Sequence, residues 1–290
     1  MRTFEDATLD AVDLLQQQDI RLPYRSVIVD EAQDMGPQAL TLIRRLVQPQ
    51  QADDLFIVGD GHQRIYRRKT TMSQCGIQIV GRSRKLRFNY RTTEETRRFA
   101  SAILEGVSVD DLDGGEDRGD DYRSLLHGSE PQVAGFPTQA AECLGIAEQI
   151  QALLEEGIVS QDICVATRTR KYRDKINDHL VSAGLPTLVL SQQIDNRNVA
   201  GVRLATMHRV KGLEFRYMIL AVISEGTVPL PLALGSTDDP VERRQNELNE
   251  RALLHVAATR ALASPMPVSL ARICRWQPNS LWKSVDAGPN

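Results

Sequence analysis

Two adjacent carboxylates, Asp30 and Glu31, follow the short apolar run Val27-Ile28-Val29. A run of that length fits a buried parallel strand. A strand ending in Asp-Glu sets two acids at the carboxyl edge of a sheet, where open α/β folds hold their chemistry. One carboxylate of such a pair can ligate Mg²⁺ while its neighbour orients or deprotonates a water. An ordinary strand followed by an acidic turn is the plain alternative. A second apolar run, Leu55-Phe56-Ile57-Val58, ends in Gly59-Asp60-Gly61-His62-Gln63-Arg64-Ile65-Tyr66. Its glycines permit close approach of a ligand, and Gln63 is the kind of neutral group that positions a water beside a phosphate.

More groups of this kind follow. Leu86-Arg87-Phe88-Asn89-Tyr90-Arg91 sets Tyr90 and Arg91 just ahead of a helix predicted over about 93–105, with Thr92 and Glu95 at capping-box spacing. Arg91 suits an anion and Tyr90 offers a flat face for a base. Pairing of Arg91 with a surface acid and burial of Tyr90 in the core are the bland readings. Val202-Arg203-Leu204-Ala205-Thr206-Met207-His208 reads as a strand ending in polar groups, followed by Lys211, Gly212, Leu213 and Glu214, and a histidine at such a strand end is more often a satisfied core residue. A helix predicted over Pro240 to Leu262 carries Arg260. The cations Arg64, Arg67, Arg68, Lys69, Arg82, Arg84 and Lys85 are the best local candidates for phosphate-backbone contact, although such runs are usually solvated faces.

The elements that must position these groups alternate. Helical spacing is predicted over 4–18 and from Pro37 to Leu46, ended by Pro49. Then come a strand at Val133–Phe136, a long helix from Ala140 to Leu154, a strand at Ile163–Ala166, a helix from Tyr172 to Leu180, and strands at Thr187–Leu190 and Tyr217–Val222. Strand and helix in regular turn predict the α/β class, with a parallel sheet covered on both faces. Residues 108–121, rich in Asp and Gly, read as a loose acidic loop that does not meet the EF-hand spacing.

Composition narrows the class further. An apolar fraction of 41% with 25% charged residues is that of a soluble globular protein, and a net charge of −3 excludes a global basic field. Cys75, Cys143, Cys164 and Cys274 show no metal-ligand spacing, which points away from structural zinc and toward reduced thiols. No stretch approaches the ~20 apolar residues of a membrane span. Charge rather than an apolar run follows Met1, so a cytoplasmic protein without a membrane partner is expected.

Taken together, these stretches resemble the superfamily 1 DNA helicases of the UvrD/Rep type. Asp30-Glu31-Ala32-Gln33-Asp34 resembles the family's Walker B motif, and Gly59 to Tyr66 its third motif. Leu86 to Arg91 resembles the fourth, and Thr206 to Phe215, with Glu225-Gly226 and Pro229 beyond it, the fifth. His255-Val256-Ala257-Ala258-Thr259-Arg260-Ala261 resembles the sixth. The resemblance implies RecA-like parallel sheets with helices on both faces. Residues 1–85 would form a partial first RecA-like domain and 86–290 a second, which includes the acidic loop 108–121 and an irregular tail at 263–290. ATP would bind between the domains. Asp30 would hold Mg²⁺ and Glu31 would activate the attacking water. Gln63 would meet the γ-phosphate or that water, and Arg91 and Arg260 would stabilise the transferring phosphoryl group. Tyr90 would stack on adenine, and Gly212 and Glu214 would border the nucleotide. Tyr66, Thr206 and His208 would touch single-stranded DNA.

The chain departs from the family pattern in several places. These 290 residues contain no Gly-x-x-x-x-Gly-Lys-Thr, the P-loop that cradles phosphates. Arg68 stands where the third motif usually carries an aromatic, and the segment from Leu262 onward, interrupted by Pro265 and Pro267, reads unlike a final strand. A truncated or split gene would produce these features. Two readings follow: an ATP-dependent DNA helicase or translocase, or a non-catalytic partner or remnant that supplies arginine fingers to a separate P-loop subunit.

Overall fold

A computed structural model of the chain describes residues 2–47, 49–65, 71–107, 109–110, 115–117, 121–191, 195–262 and 269–272. In chain order the helices are α1 (Phe4–Gln17), α2 (Pro37–Leu46), α3 (Glu94–Ile103), α4 (Gln139–Glu155), α5 (Arg170–Ser182), α6 (Pro231–Leu234) and α7 (Pro240–Ala258). The strands are β1 (Val27–Val29), β2 (Leu55–Ile57), β3 (Phe88–Thr93), β4 (Val109–Asp110), β5 (Glu116–Asp117), β6 (Arg123–Leu126), β7 (Gln132–Gly135), β8 (Ile163–Thr167), β9 (Thr187–Val189), β10 (Val202–Thr206), β11 (Tyr217–Leu220) and β12 (Ser269–Arg272). The chain divides into two compact units. One is Met1–Lys85 with Ser108–Arg118, and the other is Leu86–Val107 with Gly119–Asn290.

In the first unit, β1 and β2 pair in parallel, with Ile28 opposite Phe56. The two-residue period of a strand sends Val27, Val29, Leu55 and Ile57 to one face, where they pack with Leu40, Met72, Cys75 and Ile77. The other face carries Ile28 and Phe56, which are 79% and 64% exposed. Helix α1 begins at a capping box, in which the Thr3 hydroxyl accepts from the Asp6 N–H and the Asp6 carboxylate accepts from the Thr3 N–H. Between α2 and β2 lies a buried ion pair: Arg44 Nη2 meets Asp54 Oδ2 at 2.5 Å and also donates to the Val47 carbonyl. The Arg44 guanidinium beside Asp54 holds that carboxyl below the usual range. The acidic segment places β4 and β5 as an antiparallel pair in this same unit.

The second unit is built on a six-stranded, all-parallel sheet in the order β7-β12-β11-β8-β10-β9. The α/β class and the parallel sheet agree with the sequence pattern. Ile163 and Val165 of β8, Val202 and Leu204 of β10, and Tyr217 and Ile219 of β11 pack against Cys143, Ile146 and Ile150 of α4 and Ile176 and Leu180 of α5. Their alternates Cys164, Ala166, Met218 and Leu220 are equally buried on the opposite face, so both sides of the sheet are covered. No described helix is long and apolar enough to cross a membrane. Cys75, Cys143 and Cys164 are buried free thiols.

Three local expectations change. The cap of α3 is Thr93, whose hydroxyl accepts from the Thr96 N–H, rather than Thr92. Glu95 does not close a capping box; it accepts from the Gly128 N–H and pairs with His127. Helix α7 stops at Ala258, because the residues after it turn so that Phe215 and Ala261 bridge in parallel. The tail supplies a strand after all: β12 inserts between β7 and β11. Both prolines precede it, so neither removes a ladder donor.

Two outcomes follow from these contacts. Asp54→Ala leaves Arg44 charged and buried without its carboxylate, so the first unit should lose about 3–5 kcal/mol in denaturant titration. Glu94 is held down to about 2, first by Arg97, against a smaller opposing burial effect, and then by the Ser124 N–H. Its contribution is full above about pH 4.5 and is lost as pH falls toward about 2. Carboxyl-carbon NMR should therefore give Glu94 an acid midpoint well below that of an ordinary glutamate.

Candidate functional site

At the carboxyl edge of β1 and β2 the first unit gathers the predicted acids and amides. Asp30 is exposed, and its Oδ1 accepts the Glu31 N–H at 2.8 Å. Glu31 takes a left-handed backbone (φ 54), uncommon for a residue with a β-carbon, and N-caps a short 3-10 turn over Ala32–Asp34. The Ala32 N–H reaches the Val58 carbonyl at 3.0 Å, which ties this turn to the end of β2. The Gln33 Nε2 donates to the Glu31 carboxylate. Beyond β2, Asp60 N-caps a second 3-10 turn, Gly61–Gln63, by accepting the His62 N–H at 2.9 Å. Its other oxygen accepts from Gln63 Nε2 at 2.9 Å. Burial pulls the His62 pKa down, but hydrogen bonding to Asp60, with the charges of Asp60 and Asp117, outweighs it and the net shift is upward. Tyr66 lies outside the described residues.

The second unit carries the remaining predicted residues. Tyr90 is 70% exposed and stands open to a stacking partner rather than in a core. Next to it, Asn89 ties together the irregular second half of β3, where the register shifts: its Oδ1 accepts from the Arg91 and Thr92 N–H groups and its Nδ2 donates to Thr92 Oγ1. Arg91 forms an ion pair with Glu214, so the fourth- and fifth-motif candidates come together. Thr206 ends β10 opposite Thr167 of β8. His208 follows at the same edge, and Gly212 adopts φ 76, which glycine takes without strain. Partial desolvation, with Arg168 nearby, holds the His208 imidazole below its ordinary pKa. Arg260 is 3% exposed, its guanidinium donating to the Val256 carbonyl and Thr259 Oγ1. It sits just past the end of α7, and its own carbonyl accepts from the Phe215 N–H.

Three residues, Arg168, Glu250 and Glu142, carry no role in the sequence reading. Arg168, one residue past β8, forms a two-pronged, buried pair with Glu250 of α7 at 2.9 and 2.7 Å. The same carboxylate accepts the Leu230 N–H at 2.9 Å, which joins α7, β8 and the segment after β11. Glu142, in the first turn of α4, is almost fully buried; its Oε1 accepts the Val222 N–H at 2.6 Å, and burial raises its pKa. Val222 itself has φ 60, rare for a β-branched residue. A charged residue inside an apolar-spaced helix was the available signal for both glutamates.

The donor set suits a hard cation and phosphate oxygens. No cluster of three His, Cys, Asp or Glu that could hold a metal occurs among the described residues. One exposed carboxylate at a strand end matches Mg²⁺, which keeps its waters and shares ligands with bound phosphates rather than filling an all-protein cage.

Comparison with known proteins agrees with the geometry. Residues 3–74 match the UvrD/REP helicase N-terminal domain, and residues 84–195 and 190–264 match the UvrD-like helicase C-terminal domain. The chain is 27% identical to the ATP-dependent DNA helicase HMI1, mitochondrial, of Saccharomyces cerevisiae, over 94% of this chain and 37% of that protein. It is 28% identical to the ATP-dependent DNA helicase UvrD2 of Mycobacterium tuberculosis, over 59% of this chain and 26% of that one. The chain thus spans little more than a third of the length of the first of these relatives, and less of the second. Matches to both family domains, over well more than half of its residues, show that the chain belongs to the UvrD-like superfamily 1 helicases.

Proposed function

We propose that this chain forms part of an ATP-dependent DNA helicase or translocase. The observation that carries the reading is the acid–amide cluster Asp30, Glu31, Asp60 and Gln63 at the carboxyl edge of β1 and β2. Asp30 would hold Mg²⁺, which would supply positive charge beside the phosphates. Glu31 accepts a proton from the attacking water, and Gln63 orients that water or the γ-phosphate. Arg91 and Arg260 stabilise charge on the transferring phosphoryl group, Arg91 exchanging its Glu214 partner for phosphate oxygens. Tyr90 stacks on the base, with Gly212 and Glu214 bordering the nucleotide. Tyr66, Thr206 and His208 contact single-stranded DNA. The buried free cysteines suit a reducing compartment such as the cytoplasm.

A second reading has its own observation. These 290 residues contain no P-loop. The phosphate cradle is then supplied by polypeptide outside them, in the same protein or in a separate P-loop subunit to which this chain lends Arg91 and Arg260.

Calorimetry with Mg²⁺-ATP and turnover assays with single-stranded DNA separate the two. Under the first reading the chain binds Mg²⁺-ATP and hydrolyses it faster with DNA. Glu31→Gln then lowers turnover by about 10²–10⁴-fold while leaving binding in place. Arg260→Ala lowers it by about 10³-fold or more. Turnover unchanged by Glu31→Gln would remove Glu31 from the mechanism. Absence of both binding and turnover in this chain, with turnover restored by a P-loop polypeptide, favours the second.

A further inference from the structure

Gln33 is 2% exposed, and its carboxamide has partners from two different segments. Its Nε2 donates to the Glu31 carboxylate, and its Oε1 accepts the Asp60 N–H at 2.9 Å. Chemistry fixes this orientation. A flipped amide would set oxygen against carboxylate and NH₂ against N–H. Beyond Asp60 the contacts continue, because its carboxylate holds both the His62 N–H and Gln63 Nε2. A continuous chain of hydrogen bonds therefore runs from Glu31 through Gln33 and Asp60 to Gln63, wholly inside the first unit. It begins at a residue whose left-handed backbone persists only where surroundings hold it.

We infer that Gln33 is a positioning residue that locks the Glu31 carboxylate to the Asp60–Gln63 turn, so that the two move as one. The inference deepens the ATPase reading and rests on it for its consequence: phosphate contact at Gln63 and water activation at Glu31 are set together. Only an amide can fill the position. Glutamate would lose the donor and set a second negative charge beside Glu31, and leucine would keep the volume and lose both bonds.

Amide hydrogen exchange of the full chain tests it without nucleotide. Gln33→Leu should speed exchange at the Asp60 amide by about five- to tenfold. Glu31→Ala, an exposed substitution that leaves the core intact, should speed the same amide severalfold in the wild-type background and no further in Gln33→Leu. The Val58 amide, bonded to the Val29 carbonyl, should stay unchanged and reports that the unit is folded. An Asp60 amide indifferent to Glu31→Ala, or additive effects of the two substitutions, would overturn the lock. In turnover assays Gln33→Leu should lower kcat about tenfold with KM for ATP within about twofold, and a matching loss in both would count against a positioning role. Exchange coupling that holds in a chain that neither binds nor turns over Mg²⁺-ATP, alone or with a P-loop polypeptide added, would sink the ATPase reading and leave the lock standing. Lost coupling with nucleotide binding intact would do the reverse.

Discussion

A parallel strand has to be covered on both faces, and the second unit depends on meeting that constraint at β8. All five of its residues are buried, with β10 on one side and β11 on the other. Apolar side chains fill both faces, each buried methylene contributing about 0.8 kcal/mol. Nothing polar can enter the middle of such a strand without losing that contribution. Polar groups therefore collect where the strands run out, at Thr167-Arg168 at the end of β8 and at Thr206 and His208 at the end of β10. Thr206 and His208 lie at that edge because the interior excludes them. In the first unit the same constraint is met on one face of β1 and β2, while Ile28 and Phe56 remain open on the other.

Charges that do enter the interior are matched. Arg203 is fully buried and directs its guanidinium to Asp195 and to the carbonyls of Asn196, Val199 and Gly201. Arg168 and Glu250 neutralise each other while Glu250 also satisfies a backbone N–H. A buried pair of this kind adds little net stability over apolar packing, yet it is costly to break from one side, which makes it suited to fixing geometry. The two site histidines respond oppositely. His62 gains Asp60 and is raised, so its favourable contribution is present below about pH 6.5 and lost as pH rises through the folded value. His208 is lowered by desolvation and Arg168, so protonation at falling pH works against the folded state.

The short connection between Glu31 and Gln63 gives the first unit a comparable economy. Two 3-10 turns, one after each strand, bring two carboxylates, Glu31 and Asp60, and two amides, Gln33 and Gln63, into one line of hydrogen bonds. Each turn is capped by a residue that also carries chemistry, Glu31 in one case and Asp60 in the other. Local backbone geometry and the placement of reactive groups are thus one problem with one solution.

By itself the sequence determined the class of fold, the order of the motifs and the placement of Asp30-Glu31 and Asp60–Gln63 after apolar runs. These follow from short-range rules: a two-residue period in strands, a 3.6-residue period in helices, and turn-forming residues between them. Tertiary structure decided what those rules cannot reach. It chose Glu214 for Arg91, Glu250 for Arg168, Asp60 for Gln33 and Glu142 for Val222. It also placed β12 beside β11 and gave the α3 cap to Thr93. Each of the long-range choices depends on the lateral order of strands and on which helix crosses which face. Neither is encoded in any periodicity, because a periodicity describes neighbours along the chain and not partners distant in it.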